Sequence, residues 1–244
     1  MIAIVGSTHD DILYFESIMV DKKKETIFKR YEVTIGTIFN QEVLLMYGLY
    51  TSVLSASLTN YILGKNYISL VINVGKCISL NPKYKTGDIV ISSKVIDVNV
   101  DLTKVQNSEM GQIPGFDRVF EVQKDILFYT KDSINKRTYA SGENVTFLSS
   151  DNLSDDVLKK IKDNGTIFGL NDQLVFDSVS AGIALSCTLY DVPFIIVKAI
   201  ERPLDKEASV DTYLSVLNGY IDLGKAVVST VGDIGRSDIL KGGQ

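Results

Sequence analysis

Three runs constrain the fold of this chain more than anything else in it. Ile2–Val5, Ile68–Val74 and Val192–Ile200 are predominantly apolar, rich in Val and Ile, and of strand length. A strand that is apolar on both faces must be covered on both, and helices are what cover it. Segments of helical period lie between these runs. In Asp10–Met19 the residues Ile12, Phe15, Ile18 and Met19 share one face, and Asp10 and Asp11 stand at the positive end of the helix dipole. Helices are also expected over Ser52–Leu63, Gln123–Ile134, Leu153–Ile161, Ser178–Leu189 and Val210–Thr230, and a long strand over Asp88–Val98. Tyr31–Phe39 and Glu42–Tyr47 alternate with a period of two, which predicts a hairpin turning at Asn40-Gln41. The Ile68 strand should end at Gly75 and open there onto a loop. The polar stretch Asn99–Gly115, holding Gly111 and Pro114, is long for a connection and suggests a functional or interface loop. No linker or repeat divides the chain, so one α/β domain over residues 1–244 is expected.

Net charge −5 provides no field for phosphate backbones or anionic lipid, so neither nucleic acid nor a membrane surface is an expected partner. The one cationic cluster, Lys22–Lys24, reads as a solvated loop. Cys77 and Cys187 lie far apart and His9 is the only histidine, so no metal site, disulfide framework or cofactor is expected. No apolar stretch approaches the roughly 18 residues of a membrane span, and the Met1–Gly6 run is too short for a signal peptide; a cytoplasmic protein is expected.

Six segments in order then carry a resemblance: Met1-Ile-Ala-Ile-Val-Gly6 with its acidic turn, Val71-Ile-Asn-Val-Gly75, Gly87-Asp-Ile-Val-Ile-Ser92, Gly111-Gln-Ile-Pro-Gly115, Ser141-Gly142, and Asp191 through Ile200. Over nearly its whole length the chain resembles the methylthioadenosine/S-adenosylhomocysteine nucleosidases of the nucleoside phosphorylase superfamily, as a divergent member. The resemblance implies a three-layer fold with a mixed, bent central sheet flanked by helices. It also implies a homodimer in which the Gly111–Gly115 loop reaches the partner's site, with Leu102 and Pro114 lining the pocket for the 5′ substituent. The same loop serves equally as a dimer edge that only packs.

Cleaving an N-ribosidic bond passes through a ribosyl cation, so it needs carboxylates near the sugar and an acid for the leaving purine. The resemblance places a water-orienting acid at Asp11, which fits a first-turn acid on the helix dipole just as well. A Glu-Met-Glu run maps onto Asp177, Ser178 and Val179, so the acid that grips the ribose becomes a valine. The purine acid maps onto Arg202, whose proton is not released at neutral pH. The small turn after the Ile68 strand reads Gly75-Lys76-Cys77-Ile78, the turn after the hairpin Tyr47-Gly48-Leu49-Tyr50, and the purine sandwich falls at Val145 and Thr146. Lys76 and Arg202, alongside Lys198, add positive charge to a cleft that should hold a cation.

A weak or inactive nucleosidase follows, with two rivals. In one, Glu201, Asp205 or Glu143 replaces the missing acid, Asp11 still handles water, and the chain is an active nucleosidase or phosphorylase. In the other, Lys76 and Arg202 hold a nucleotide phosphate, or Tyr47, Tyr50 and Ile78 fill the cleft of a scaffold. For both cations an ordinary ion pair, to Glu201 or Asp205, stands beside the anion site. The ligand in either nucleoside case is a purine nucleoside or nucleotide.

Overall fold

In the computed structural model, residues 1–105, 107–137, 143–152, 154–163, 173–204 and 210–237 are described. The ten strands are β1 (Ile2–Val5), β2 (Val20–Ile27), β3 (Tyr31–Ile38), β4 (Gln41–Met46), β5 (Leu70–Ser79), β6 (Ile89–Asp97), β7 (Phe120–Glu121), β8 (Glu143–Ser149), β9 (Leu174–Asp177) and β10 (Phe194–Pro203). Six helices accompany them: α1 (His9–Ile18), α2 (Ser52–Lys65), α3 (Lys124–Arg137), α4 (Asp155–Asp163), α5 (Ser180–Leu189) and α6 (Val210–Arg236). The sheet runs β10-β6-β8-β9-β5-β1-β4-β3-β2, and β10 also pairs with β5, so that five of its strands bend round into a ring. Parallel pairs join β1 to β4 and β5, and β10 to β5, while β10–β6, β3–β4 and β5–β9 are antiparallel. The expected mixed, bent sheet is therefore observed.

β5 shows why these strands were legible and where they were not. Its upstream half, Leu70–Asn73, is buried and pairs with β1 on one side and with β10 on the other. Past Asn73 the β1 partner is gone, and β9 does not take its place until Ile78. From Val74 through Gly75 to Cys77 the strand is paired on its β10 side alone, and it runs on to Ser79 instead of ending at the glycine. Gly75 itself has φ +142. A crevice at the point where a strand exchanges neighbours, beyond the carboxyl ends of parallel strands, is where open α/β sheets bind ligands.

Three further expectations need correction. Lys22–Lys24 belong to edge strand β2 and not to a loop; all but one of its residues are exposed, so no apolar alternation marks it, and edge lysines discourage pairing with other chains. The hairpin pairs Ile38 with Gln41, which makes Phe39 and Asn40 the turn, both at left-handed φ as a type I′ turn requires. β8 and β9 were not foreseen. Their short lengths and the polar residues among them blur the period on which a strand is read.

The main core gathers β1, β4, β5, β6 and β10 with α2 and α5, and a second cluster centres on Ile78, Leu148, Leu158 and Phe176. Close approach between α2 and α5 depends on Gly182, where a Cβ would lie 2.3 Å from the Ser52 carbonyl oxygen. Among the described residues no helix is long and apolar enough to cross a membrane.

Candidate active site

At Gly75, where the exchange of strand neighbours makes a ligand crevice expected, one wall is the turn from β1 into α1. Asp11 is the third residue of that helix, and its Oδ2 accepts the backbone N–H groups of Ser7 and Thr8, each at 2.8 Å. The carboxylate thereby satisfies donors that a helix start leaves open and sits at the positive end of the dipole. Glycine is required beside it. A Cβ on Gly6 would lie 2.6 Å from the Asp11 Cβ, and one on Gly75 would lie 3.2 Å from Oδ2. The other oxygen, Oδ1, accepts the Tyr220 hydroxyl of α6 at 2.7 Å. Burial pushes the Tyr220 phenol far up, and the charges of Asp11, Glu201 and Asp10 add to this. Asp11 is only 4 % exposed.

On the far side, β9 delivers Asp177 to the start of α5. Its Oδ1 accepts the Ser180 hydroxyl at 2.7 Å and backbone N–H groups of Ser180 and Val179 at 3.1 and 3.3 Å. Oδ2 meets the Lys198 ammonium at 2.5 Å, with both side chains buried. Lys198 therefore brings no net positive charge to the cleft, correcting the expectation from sequence: the neighbour across the ring neutralises it. Val179 is buried at the helix cap, and its carbonyl accepts the Ser55 hydroxyl at 3.0 Å. The Ser178 hydroxyl donates to the Tyr50 carbonyl at 3.0 Å.

The third wall is the β5–β10 ladder. Its register slips between Ile200 and Arg202, so Glu201 is a bulge residue with no partner across the ladder. The bulge lets Glu201 reach Lys76, Nζ to Oε1 at 3.1 Å, with both side chains well exposed. This is the ordinary ion pair weighed against an anion site. Arg202 donates from Nη1 to the Leu204 carbonyl at 3.0 Å. Cys77 is buried, and burial pushes its thiol up, away from nucleophilic use.

Not every predicted residue reaches the mouth. Val145 and Thr146 are buried inside β8, opposite Ser92 and Lys94, and the strand instead presents Ser149, Ser150 and Asp151 at its carboxyl end. There the Asn99 Oδ1 accepts the Ser150 hydroxyl at 2.8 Å, and Asp151 accepts the Ser52 backbone N–H at 2.7 Å. Asp97, at the end of β6, joins this group; burial pushes its carboxyl up against the lowering effect of the Asn99 N–H at 3.0 Å. The polar Ser149-Ser150-Asp151 step directly after buried Phe147 and Leu148 is the sequence signal for these residues. Ile78 packs in the second core cluster, Tyr50 is 55 % exposed, and Tyr47 tilts against the His9 ring. Leu102 is half-buried and Pro114 exposed on the loop after β6. That loop, with Phe116, Arg118, Phe120 and Thr188, borders a separate groove of about 1000 Å³. Ser141, Gly142 and Asp205 lie outside the described residues, as does the side chain of Glu143.

With sheet, crevice and walls in place, the model of the phosphorylase superfamily matches residues 1–231, and the chain belongs to that family. Within it, curated relatives are 5′-methylthioadenosine/S-adenosylhomocysteine nucleosidases. That of Bacillus velezensis is 25 % identical over 209 residues, covering 86 % of this chain and 88 % of the relative. That of Bacillus pumilus is 26 % identical over 217 residues, with the same coverage of both. Among solved structures, the Neisseria meningitidis nucleosidase in complex with methylthio-immucillin-A superposes with a TM-score of 0.85 at 22 % identity, covering 95 % of this chain and 98 % of the other. The putative nucleosidase of Borrelia burgdorferi bound to adenine gives 0.84 at 23 %, covering 95 % and 99 %. At these identities the structural likeness establishes the fold.

Proposed function

We propose that the chain, as one domain, binds purine nucleosides at the Gly75 crevice and cleaves their N-ribosidic bond weakly or not at all. One observation carries this reading: the carboxylates Asp11 and Asp177 are already occupied by partners within the chain. Asp177 is neutralised by Lys198, and both oxygens of Asp11 hold donors. Val179 brings no acid and its carbonyl serves Ser55, while Arg202 puts a guanidinium, donating to the Leu204 carbonyl, where the resemblance expects the purine acid. A ribosyl cation would then form without the preorganised negative charge that lowers its barrier, and each such group is worth on the order of 2.7–4 kcal/mol. Adenine itself needs no sugar carboxylate, so its binding is expected to survive. Purified protein should bind adenine by calorimetry and release it from methylthioadenosine or S-adenosylhomocysteine at least about a thousandfold more slowly than a relative assayed beside it, the scale of one lost electrostatic group. Release at the relative's rate removes the proposal.

The bulge at Glu201 supports a second reading, an active nucleosidase in which that carboxyl serves as purine acid. Glu201→Gln then abolishes turnover, and unchanged turnover excludes it. A cytoplasmic homodimer, with Leu102 and Pro114 at the partner's mouth, completes the first reading; a monomer by analytical ultracentrifugation argues against that part.

A further inference from the structure

Tyr220 was in no motif, yet it is the side chain that closes over Asp11. Two close helix contacts fix where it stands. On one side of it a Cβ on Gly219 would lie 2.9 Å from the Gly87 carbonyl oxygen and 3.4 Å from the Ala199 Cβ, so α6 is seated directly on β10 and the turn before β6. One turn further on, a Cβ on Gly224 would lie 2.5 Å from the Tyr14 ring, so the same helix is pressed onto α1. Between these two glycines α6 has no room to move away, and the phenol is carried into the mouth, where its hydroxyl reaches Asp11 Oδ1 at 2.7 Å.

A half-buried phenol gains from an acceptor, but Asp11 does not need this donor. Its Oδ2 already takes two backbone N–H groups, which anchor the carboxylate at the helix start. Oδ1 is the oxygen without a backbone donor, and the tyrosine occupies it with a neutral donor. A neutral hydroxyl can be exchanged for another hydroxyl at little cost, whereas a cation such as Lys198 on Asp177 cannot.

We propose that Tyr220 is a positioning residue that covers Asp11 and takes the carboxylate lone pair that a sugar hydroxyl, or the water that attacks the sugar, would otherwise use. This rests on the mouth being a purine-nucleoside site. Discrimination follows from it: a free purine makes no demand on Asp11, while a nucleoside must displace or share the phenol. The device therefore biases the site toward the base and against the ribosylated ligand.

Tyr220→Phe keeps the ring and removes only the hydroxyl. Calorimetric titration of wild type and variant with methylthioadenosine and with adenine reads the sugar-dependent part separately. Methylthioadenosine should bind the variant about tenfold more tightly, near the lower end of what a hydrogen bond to a charged group is worth, while adenine changes by less than about twofold. Nucleoside affinity that is unchanged or weaker overturns the proposal, as does an equal change for both ligands. If neither protein binds the nucleoside while both bind adenine, the proposal fails and the purine-site reading stands; if adenine is not bound either, the site reading itself fails. Proton NMR of the wild type is independent of how the variant folds. It should show a slowly exchanging, downfield tyrosine hydroxyl that moves in Asp11→Asn, and its absence overturns the pairing.

Discussion

Asp11 and Asp177 occupy two corners built to one plan. Each stands where a strand gives way to a helix, each is 4 % exposed, and each accepts backbone N–H groups from its helix start. They differ in what faces the second oxygen. Asp177 holds the Lys198 ammonium inside the ring of strands, and Asp11 holds a phenol that arrives from outside it on α6. A buried charge that finds a buried counter-ion is committed, because separating the two leaves both uncompensated. A charge whose outer partner is neutral is only occupied. The same residue type, with the same burial and local geometry, is thus a fixture in one corner and a reserve in the other.

The largest effect expected is at the committed corner. Lys198→Met leaves Asp177 charged and alone in the interior, for a loss of about 3–5 kcal/mol of stability in urea denaturation. A loss below about 1 kcal/mol would erase the contrast. Asp11→Ala removes an acceptor for two backbone N–H groups and one phenol but strands no charge, so about 1–2 kcal/mol is expected by the same measurement. Should the two variants cost the same, the outer partner does not decide the matter.

Asp97 sharpens the comparison from a third corner: in the bonds observed neither cation nor phenol stands against it, and Asn99 holds it through its backbone N–H at 3.0 Å and through its side chain. Burial raises its carboxyl in the folded protein, so the folded state binds that proton more tightly than the unfolded one. Stability must then fall as pH climbs from the ordinary aspartate value of about 4 through the raised one, and it is not recovered above. Asp97→Asn should flatten this part of the stability–pH curve, the smallest of the three effects. A variant with an unchanged slope would place the dependence elsewhere.

Much of the fold was legible because it rests on periods. Ile2–Val5, Leu70–Val74 and Phe194–Ile200 are strand residues buried on both faces, and their apolar runs say so without help from anything distant. β2 escaped because an exposed edge strand has no buried face to mark it, and β9 because four residues are too few to show a period. At the site, Asp11 and Lys76 were named from the resemblance and Gly75 as the end of an apolar run, although β5 runs on through both Gly75 and Lys76. Val145 and Thr146 were misplaced because β8 runs on to Ser149 and carries the mouth to its far end.

By itself, the sequence determined which strands form the middle of the sheet, that Asp11 begins a helix close to a glycine, and that valine and arginine stand at positions 179 and 202. Tertiary structure alone decided what those groups do. Lys198 changed from an added cleft charge to the partner of Asp177, Glu201 was re-aimed at Lys76 by a bulge, and Tyr220 was brought onto Asp11 from 209 residues away. Periodicity is written between neighbours in the chain, whereas the protonation and availability of a carboxylate depend on whichever donor the folded sheet places against it.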